Sequence, residues 1–141
     1  TLARLSKYFI LELPNSDESI NIPITSFLNL NSVWNTGIAL GPLSFNEQFY
    51  YNIITLIIII ITLVILFFAI KSSGVEKIGF SMIFGGSLGN IFDRLYYTAV
   101  IDFIDLHINN IHWFIFNIAD IFISLGVIIL ITIEFFGRKK I

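Results

Sequence analysis

The sequence has 141 residues, of which 56% are hydrophobic and 13% charged, and its mean hydropathy is +0.87. Soluble domains carry about twice this charged fraction, so lipid must surround much of a chain of this length. The net charge of −2 argues against a nucleic-acid partner, because phosphate binding needs clustered Lys and Arg. The lack of cysteine excludes disulfides, thiolate metal sites and cysteine nucleophiles. His107 and His112 are the only histidines, too few for a convincing zinc site, so no metal or other cofactor is expected.

The N-terminal part of the chain predicts one helix end and one β-rich segment. Residues 1–13 are apolar but too short to cross a membrane, and we expect them to be the end of a helix whose beginning is absent from this chain. Residues 14–51 contain Pro, Gly and several Asn, and they alternate apolar and polar residues in places. This pattern predicts short strands and turns that form a small β-rich platform on the membrane surface.

Three complete membrane spans are predicted in the rest of the chain. Residues 52–70 include the uncharged run IITLIIIIITLVILFFAI, and about 18 apolar residues are enough for a transmembrane helix. Residues 113–136 form another span, and residues 78–97 form one that is weaker in hydropathy. Together with residues 1–13, these spans predict an α-helical integral membrane protein of one domain, with a four-helix transmembrane bundle whose first helix is largely missing.

Basic residues predict the side of the membrane that each connection faces. Lys71 and Lys77 flank the loop between the first two complete spans, and three basic residues follow the last span. Cytoplasmic loops carry an excess of Lys and Arg, so the loop at residues 71–77 and the tail at 137–141 are predicted to be cytoplasmic. The connection at residues 98–112 and the β-rich segment are then extracytoplasmic.

The run GGSLGNIFDRL places polar residues inside the second complete span. Gly86, Asn90, Asp93 and Arg94 recur at helical spacings of three and four, so they share one face of the predicted helix. The glycine lets another helix approach closely. A carboxylate within a span costs about 2.5–3.5 kcal/mol, so the presence of Asp93 there requires an explanation. A satisfied ion pair that serves only helix packing is the structural alternative to a functional site here.

Two aspartates lie near the predicted extracytoplasmic ends of the spans. Asp102 lies between apolar residues in VIDFID, where desolvation would raise the pKa of its carboxyl group. Asn117 and Asp120 in FNIAD share a helix face in the outer part of the last span. Two close carboxyl groups cannot both ionise cheaply, so one would hold a proton. Asp102 and Asp120 would then supply one base and one acid, which is the chemistry of an aspartic peptidase.

Four motifs, NTGIALG, GGSLGNIFDR, VIDF and FNIAD, occur in this order between the predicted spans. In this arrangement they resemble the lipoprotein signal peptidase (signal peptidase II) family, and the resemblance runs from about residue 6 to residue 140. It implies a four-helix membrane fold with a β-cradle and a short outer helix on the extracytoplasmic side. It also implies cleavage of a prolipoprotein signal peptide just before a diacylglyceryl-modified cysteine.

The resemblance assigns roles to residues of this sequence. It implies that Asp102 and Asp120 are the catalytic pair. Further residues are implied to bind substrate or support the site: Asn35, Gly37, Gly86, Asn90, Asp93, Arg94 and Asn117.

The sequence departs from the family pattern near its start and in the first motif. Ala3 stands where the family usually has Asp, four residues before Lys7, and Trp34 stands where it usually has Arg. An incomplete first helix is expected to leave Lys7 with fewer partners.

Two other function classes compete with the peptidase. A transporter or proton relay uses intramembrane carboxylates, but it would place them at several depths, whereas the aspartates here collect towards one side. A non-catalytic scaffold offers no reason for two aspartates in apolar surroundings at one depth. The expected partners are therefore diacylglyceryl-modified prolipoproteins and membrane lipid, the expected state is a monomer, and the expected location is the bacterial cytoplasmic (inner) membrane.

Overall fold

The structure is a computed structural model that describes residues 2–12, 21–37 and 47–137. Four helices and four strands follow one another in this part of the chain. In chain order the elements are α1 (Leu2–Leu11), β1 (Asn21–Thr25), β2 (Leu28–Asn35), α2 (Glu47–Lys71), α3 (Gly74–Tyr97), β3 (Val100–Ile108), β4 (Ile111–Phe116) and α4 (Ile118–Phe136).

The strands form one antiparallel sheet in the order β1-β2-β3-β4. The predicted β-rich segment at residues 14–51 supplies only β1 and β2, and its residues 14–20 and 38–46 lie outside the described residues. The other half of the sheet comes from residues 100–116, which were predicted to be a loop and the start of a span. Val, Ile and Phe dominate that stretch, and such β-branched and aromatic residues favour strands.

The helices begin at different residues from those predicted. α2 starts at Glu47, before the apolar run, and Gln48 donates a hydrogen bond to Asn52 one turn later at 3.0 Å. α4 starts at Ile118 rather than at residue 113, because the residues before it pair with β3. Only two residues, Ser72 and Ser73, separate α2 from α3.

Two helices of the described residues are long and apolar enough to cross a membrane, namely α2 from Gln48 to Lys71 and α4. α3 has 24 residues, but it carries charged residues near both ends, and its assignment as a span stays a prediction. The prediction of a mainly helical membrane fold with a small β-rich part is confirmed, and the strands of that part pair antiparallel. A separate short outer helix is not present in the ranges that the structure describes.

Glycines allow α3 and α4 to pack closely. A Cβ atom on Gly86 would lie 2.5 Å from the Ala119 carbonyl oxygen, and one on Gly126 would lie 2.6 Å from the Gly79 carbonyl oxygen. Side chains at these positions would therefore force the helices apart. The contact places the middle of α3 against the first turn of α4, where Asp120 lies.

The end of α1 packs against the sheet. Ile10 is buried in one cluster with Ile101 and Phe103 of β3, and Ile118 of α4 packs against this cluster. The same face of α1 carries Lys7, which is fully buried. The sheet, α1 and α4 thus meet at the end of α3 that contains Asn90 and Asp93.

Candidate active site

Asp102 is the third residue of β3 and is only 4% exposed. Its carboxyl group accepts hydrogen bonds from two side-chain amides. Asn35, at the end of β2, donates from Nδ2 to Oδ2 at 2.9 Å, and Asn117 donates from Nδ2 to Oδ1 at 2.6 Å. Antiparallel pairing of β2 with β3 brings Asn35 to this position, although it is 67 residues away in sequence.

Asp120 lies in the first turn of α4 and is half-buried. Its Oδ2 atom accepts a hydrogen bond from the Asn117 backbone N–H at 3.0 Å, while the Asn117 side chain accepts from Ala119 and Asp120 N–H groups. This reciprocal arrangement is a capping box, which satisfies backbone donors that the start of a helix leaves free. Asn90 of α3 donates to the other oxygen of Asp120, Oδ1, at 2.8 Å.

Asn117 joins the two carboxyl groups, because its side-chain amide donates to Asp102 and its backbone N–H donates to Asp120. It is fully buried, and its Nδ2 atom also lies 3.2 Å from Oδ1 of Asn90. The N-cap of α4 is therefore also the link between β3, α3 and α4. The hydrogen bonds restrict the orientation of both carboxyl groups, as a general acid–base pair requires.

A buried ion cluster supports Asn90 from the side of α1. Lys7 Nζ donates to Asn90 Oδ1 at 2.8 Å and to Asp93 Oδ2 at 2.5 Å. Arg4 forms a second ion pair with Asp93 at 2.7 Å. Lys7 thus has two partners in the described part of the chain, although the incomplete first helix is expected to leave it with fewer. Sequence analysis did not identify Lys7 or Arg4 as site residues, although Lys7 shares the buried helical face of Ala3 and Ile10.

Gly37 and Arg94 lie at the edge of the site. Gly37 has φ +72°, its N–H donates to Asn35 Oδ1 at 2.7 Å, and a Cβ atom there would lie 2.7 Å from Arg94 Nη2. The guanidinium group of Arg94 lies over the ring of Tyr51, 5.4 Å from its centroid. Glycine at residue 37 therefore leaves room for Arg94 and permits the turn that orients Asn35.

Burial raises the pKa of the Asp102 carboxyl group above its ordinary value, and the nearby charge of Asp120 adds to this rise. The hydrogen bonds from Asn35 and Asn117 and the charge of Lys7 act in the opposite direction, but desolvation outweighs them. The pKa shift therefore favours a protonated Asp102.

A cavity of about 450 Å³ opens beside Asp102. Its walls are formed by the end of β2, by the turn at Gly37 and by Ile115 of β4. A larger apolar groove of about 600 Å³ lies between α1 and α3, but neither carboxyl group lines it, so the chemistry points to the smaller cavity. Of the two carboxyl groups, Asp102 lines this cavity directly, and Asp120 is connected to it through Asn117.

The structure brings most of the sequence-predicted site residues together. Asp102, Asp120, Asn35, Asn90 and Asn117 form one connected network. Asp93 supports it through Lys7, Gly86 permits the helix contact, and Gly37 and Arg94 lie at its edge. A second polar group of the same sheet, Asp105 with His107 and His112, has the side chains to hold a metal ion.

The chain is similar to known proteins over nearly its whole length. A model of the signal peptidase (SPase) II family matches residues 2–136. The lipoprotein signal peptidase of Pelagibacter ubique is 48% identical over 138 residues, which cover 97% of this chain and 83% of that protein. The lipoprotein signal peptidase of Francisella tularensis subsp. novicida is 44% identical over 125 residues, covering 85% and 77%. A solved structure of a bacterial membrane enzyme, obtained by the in meso method, matches with a TM-score of 0.75 and 34% identity, covering 99% of this chain and 87% of the other. The chain therefore belongs to the signal peptidase II family of lipoprotein signal peptidases, as its motifs predict.

Proposed function

We propose that this signal peptidase is an aspartic endopeptidase in which Asp102 and Asp120 together activate water. One observation carries the proposal: Asn117 holds both carboxyl groups at once, one by its side chain and one by its backbone. Neither group has a salt bridge of its own among the described residues, so a proton shared by the pair can neutralise one of them.

The surroundings of the two groups suggest how they divide the work. Asp102 is buried and its pKa is raised, so it holds the shared proton. Asp120 lies in the first turn of α4, where the helix dipole favours a negative charge. The pair thus presents one acid and one base, as aspartic proteases do.

The reaction follows from this division. Asp120 accepts a proton from water, whose oxygen bonds to the scissile carbonyl carbon, while Asp102 gives its proton to the carbonyl oxygen. In the resulting diol the carbon–nitrogen bond breaks as Asp120 passes its proton to the leaving nitrogen. One diol hydroxyl returns a proton to Asp102, which restores the starting state of both residues.

The substrate we propose is a prolipoprotein cleaved just before a diacylglyceryl-modified cysteine, on the extracytoplasmic side of the inner membrane. Lys71 and Lys77 lie at one end of α2 and α3, and the sheet and both carboxyl groups follow the opposite end of α3. The positive-inside rule then assigns the carboxyl groups to the extracytoplasmic side. Exposed aromatic side chains near the site, among them Trp113 and Tyr96, suit the membrane interface, where the lipid of the substrate lies.

The test compares a diacylglyceryl-modified prolipoprotein with the same precursor without lipid, each incubated with the purified protein and followed by mass spectrometry. Asp102→Asn and Asp120→Asn should each reduce turnover by about 10³-fold or more, since each removes a proton-transfer group. Glu76→Gln, which neutralises an exposed carboxylate at the far end of α3, should leave turnover unchanged. Cleavage retained in either Asn variant contradicts the pair, and equal cleavage of both precursors contradicts the lipid requirement.

A further inference from the structure

A cluster of potential metal ligands lies on the hairpin formed by β3 and β4. Asp105 and His107 are two residues apart in β3, so they project from the same face of the sheet. The register of β3 with β4 shifts between Leu106 and His107, and beyond this shift His112 of β4 lies directly opposite His107. One ligand atom from each of Asp105, His107 and His112 can be chosen so that all three lie within 4.8 Å of one another.

Hydrogen bonds within this cluster leave several buried atoms without a partner. His112 Nδ1 lies 2.7 Å from Asp105 Oδ2, and Asn31 Nδ2 donates to the same oxygen at 3.4 Å. The other carboxyl oxygen, Asp105 Oδ1, has no hydrogen-bond partner among the described residues, although the side chain is 0% exposed. The buried His107 Nδ1 atom also has no hydrogen-bond partner among these residues.

A third unpartnered atom lies on the neighbouring strand. Asn29 pairs with Asp105 in the register of β2 with β3, so the two side chains share one face, and the buried Asn29 Oδ1 also lacks a partner in the described part of the chain. Of the five buried side-chain atoms without a partner in that part, three therefore belong to these adjoining positions. Leaving a buried polar group unpaired costs about 1–3 kcal/mol, so an electropositive partner at these positions would stabilise this part of the sheet.

We propose that Asp105, His107 and His112 bind one divalent transition-metal ion of the Zn²⁺ class. Two imidazoles and one carboxylate are typical ligands of zinc, whereas Ca²⁺ and Mg²⁺ prefer oxygen ligands only. The ion would give Asp105 Oδ1 and His107 Nδ1 the partner that they lack. It would also connect β3 to β4 and so stabilise the strand that carries Asp102.

The metal site is separate from the carboxyl pair. Asp105 and Asp102 are three residues apart in β3, an odd separation, so their side chains project from opposite faces and lie about 10 Å apart along the strand. No ligand is shared between the two groups. The proposed ion therefore has a structural role in the sheet, and the peptidase reaction does not pass through it.

The experiment is a calorimetric titration of the full chain, purified without a histidine tag, with Zn²⁺ alone at neutral pH. Binding of about one equivalent is expected. His107→Ala and His112→Ala should each weaken it by at least about 10-fold, and the double variant should abolish it, because zinc needs several ligands at once. Asn110→Ala, an exposed change in the same hairpin, is the matched control and should bind like the unmodified chain.

Two further measurements separate ligand loss from misfolding. Co²⁺ bound in place of Zn²⁺ should give visible absorption bands that the double variant lacks, and Zn²⁺ should raise the unfolding temperature of the unmodified chain but not of the double variant. The variants should still cleave prolipoprotein without added metal, which shows that they are folded. The proposal is overturned if the unmodified chain shows no saturable Zn²⁺ binding, if Ca²⁺ binds as tightly as Zn²⁺, or if the double variant retains the affinity.

Discussion

Asn117 has two roles: it caps α4, and it holds the carboxyl groups of Asp102 and Asp120. Its Oδ1 atom caps α4, while its Nδ2 atom and its backbone N–H hold the two carboxyl groups. A residue with this position is constrained by folding and by chemistry together. Substitutions that keep one role and remove the other can separate these two contributions.

Asn117→Ser keeps a hydroxyl group that can cap the helix but removes the amide donor to Asp102, whereas Asn117→Ala removes both. Loss of an N-cap costs about 1 kcal/mol, so Asn117→Ala should lower the free energy of unfolding by about that much more than Asn117→Ser. Both variants should lose turnover to a similar extent, by about 10-fold or more. Unfolding in detergent and cleavage of lipidated prolipoprotein measure the two effects. Full turnover in Asn117→Ser would show that the amide does not position Asp102.

Burial of Asp102 predicts the pH dependence of the reaction. The rate should fall on the alkaline side as Asp102 loses its proton, and this fall should occur above the ordinary range of an aspartate, because its pKa is raised. Asn35→Ala removes a hydrogen bond that stabilises the charged form, so it should move the alkaline fall to higher pH. Asn31→Ala, whose amide contacts Asp105 instead, should leave the profile in place. Profiles of kcat/KM against pH for the unmodified chain, Asn35→Ala and Asn31→Ala test whether Asp102 causes the alkaline fall in rate.

The Asp102 carboxyl group should also make the free energy of unfolding depend on pH. Because the pKa of Asp102 is raised in the folded state, the folded chain binds more protons than the unfolded chain between the two pKa values. The free energy of unfolding then decreases as the pH rises through that interval. Asp102→Asn should remove this part of the decrease, as unfolding at several pH values can show.

Among the elements, α3 and α4 approach each other closely at three glycines. Gly79, Gly86 and Gly126 lie where one helix backbone meets the other. Close approach of this kind favours association of helices in lipid, where the hydrophobic effect does not drive them together. It also keeps Asn90 within hydrogen-bond distance of Asp120.

Gly86→Ala and its neighbour Gly85→Ala form a matched pair that tests this contact. A Cβ atom on Gly86 would lie 2.5 Å from backbone of α4, whereas one on Gly85 would meet nothing within 4 Å. Gly86→Ala should destabilise the chain by about 1–3 kcal/mol through overpacking and should lower turnover. Gly85→Ala should be neutral or stabilising, since alanine favours the helix. Thermal unfolding in detergent that is equal for the two variants would contradict the close contact.

In the chain as a whole, α1 is connected to the site by charge rather than by a large apolar surface. Lys7 is fully buried and reaches Asn90 and Asp93, while Arg4 pairs with Asp93 from a more exposed position. Two cations around one carboxylate compensate its burial, and Lys7 extends the connection through Asn90 to Asp120. The position of α1 therefore affects the geometry of the carboxyl pair.

Lys7→Met should test this connection. Removing one partner of a buried ion pair typically costs about 3–5 kcal/mol, because it leaves a buried charge uncompensated. Here Arg4 still pairs with Asp93, so we expect the loss to lie near the lower end of that range, together with reduced turnover. Lys77→Met, at an exposed lysine of α3, should change neither property. Unfolding and cleavage assays on both variants check the prediction, which fails if Lys7→Met behaves like Lys77→Met.

Local patterns in the sequence were sufficient to predict the helical membrane fold and the family. The run of apolar residues in α2, the glycines of α3 and the motifs that contain Asp102 and Asp120 are continuous in the chain. Hydropathy and spacing are properties of neighbouring residues, so they can be recognised without knowing how the chain folds. The same patterns predicted strands at residues 14–51, but they assigned residues 98–112 to a loop and residues 113–116 to a membrane helix. Short apolar runs do not by themselves distinguish a strand from a helix.

Packing between segments that are distant in the sequence determined the contacts that assemble the candidate site. The register of β2 with β3 brings Asn35 to Asp102, the capping of α4 directs Asn117 to both carboxyl groups, and the docking of α1 buries Lys7 beside Asn90. The register shift between β3 and β4 brings His112 opposite His107, so two histidines that appear too few in the sequence share a face with Asp105. Hydrogen bonds and ion pairs form only at short distances, and the distances between segments far apart in the chain depend on the packing of all elements together.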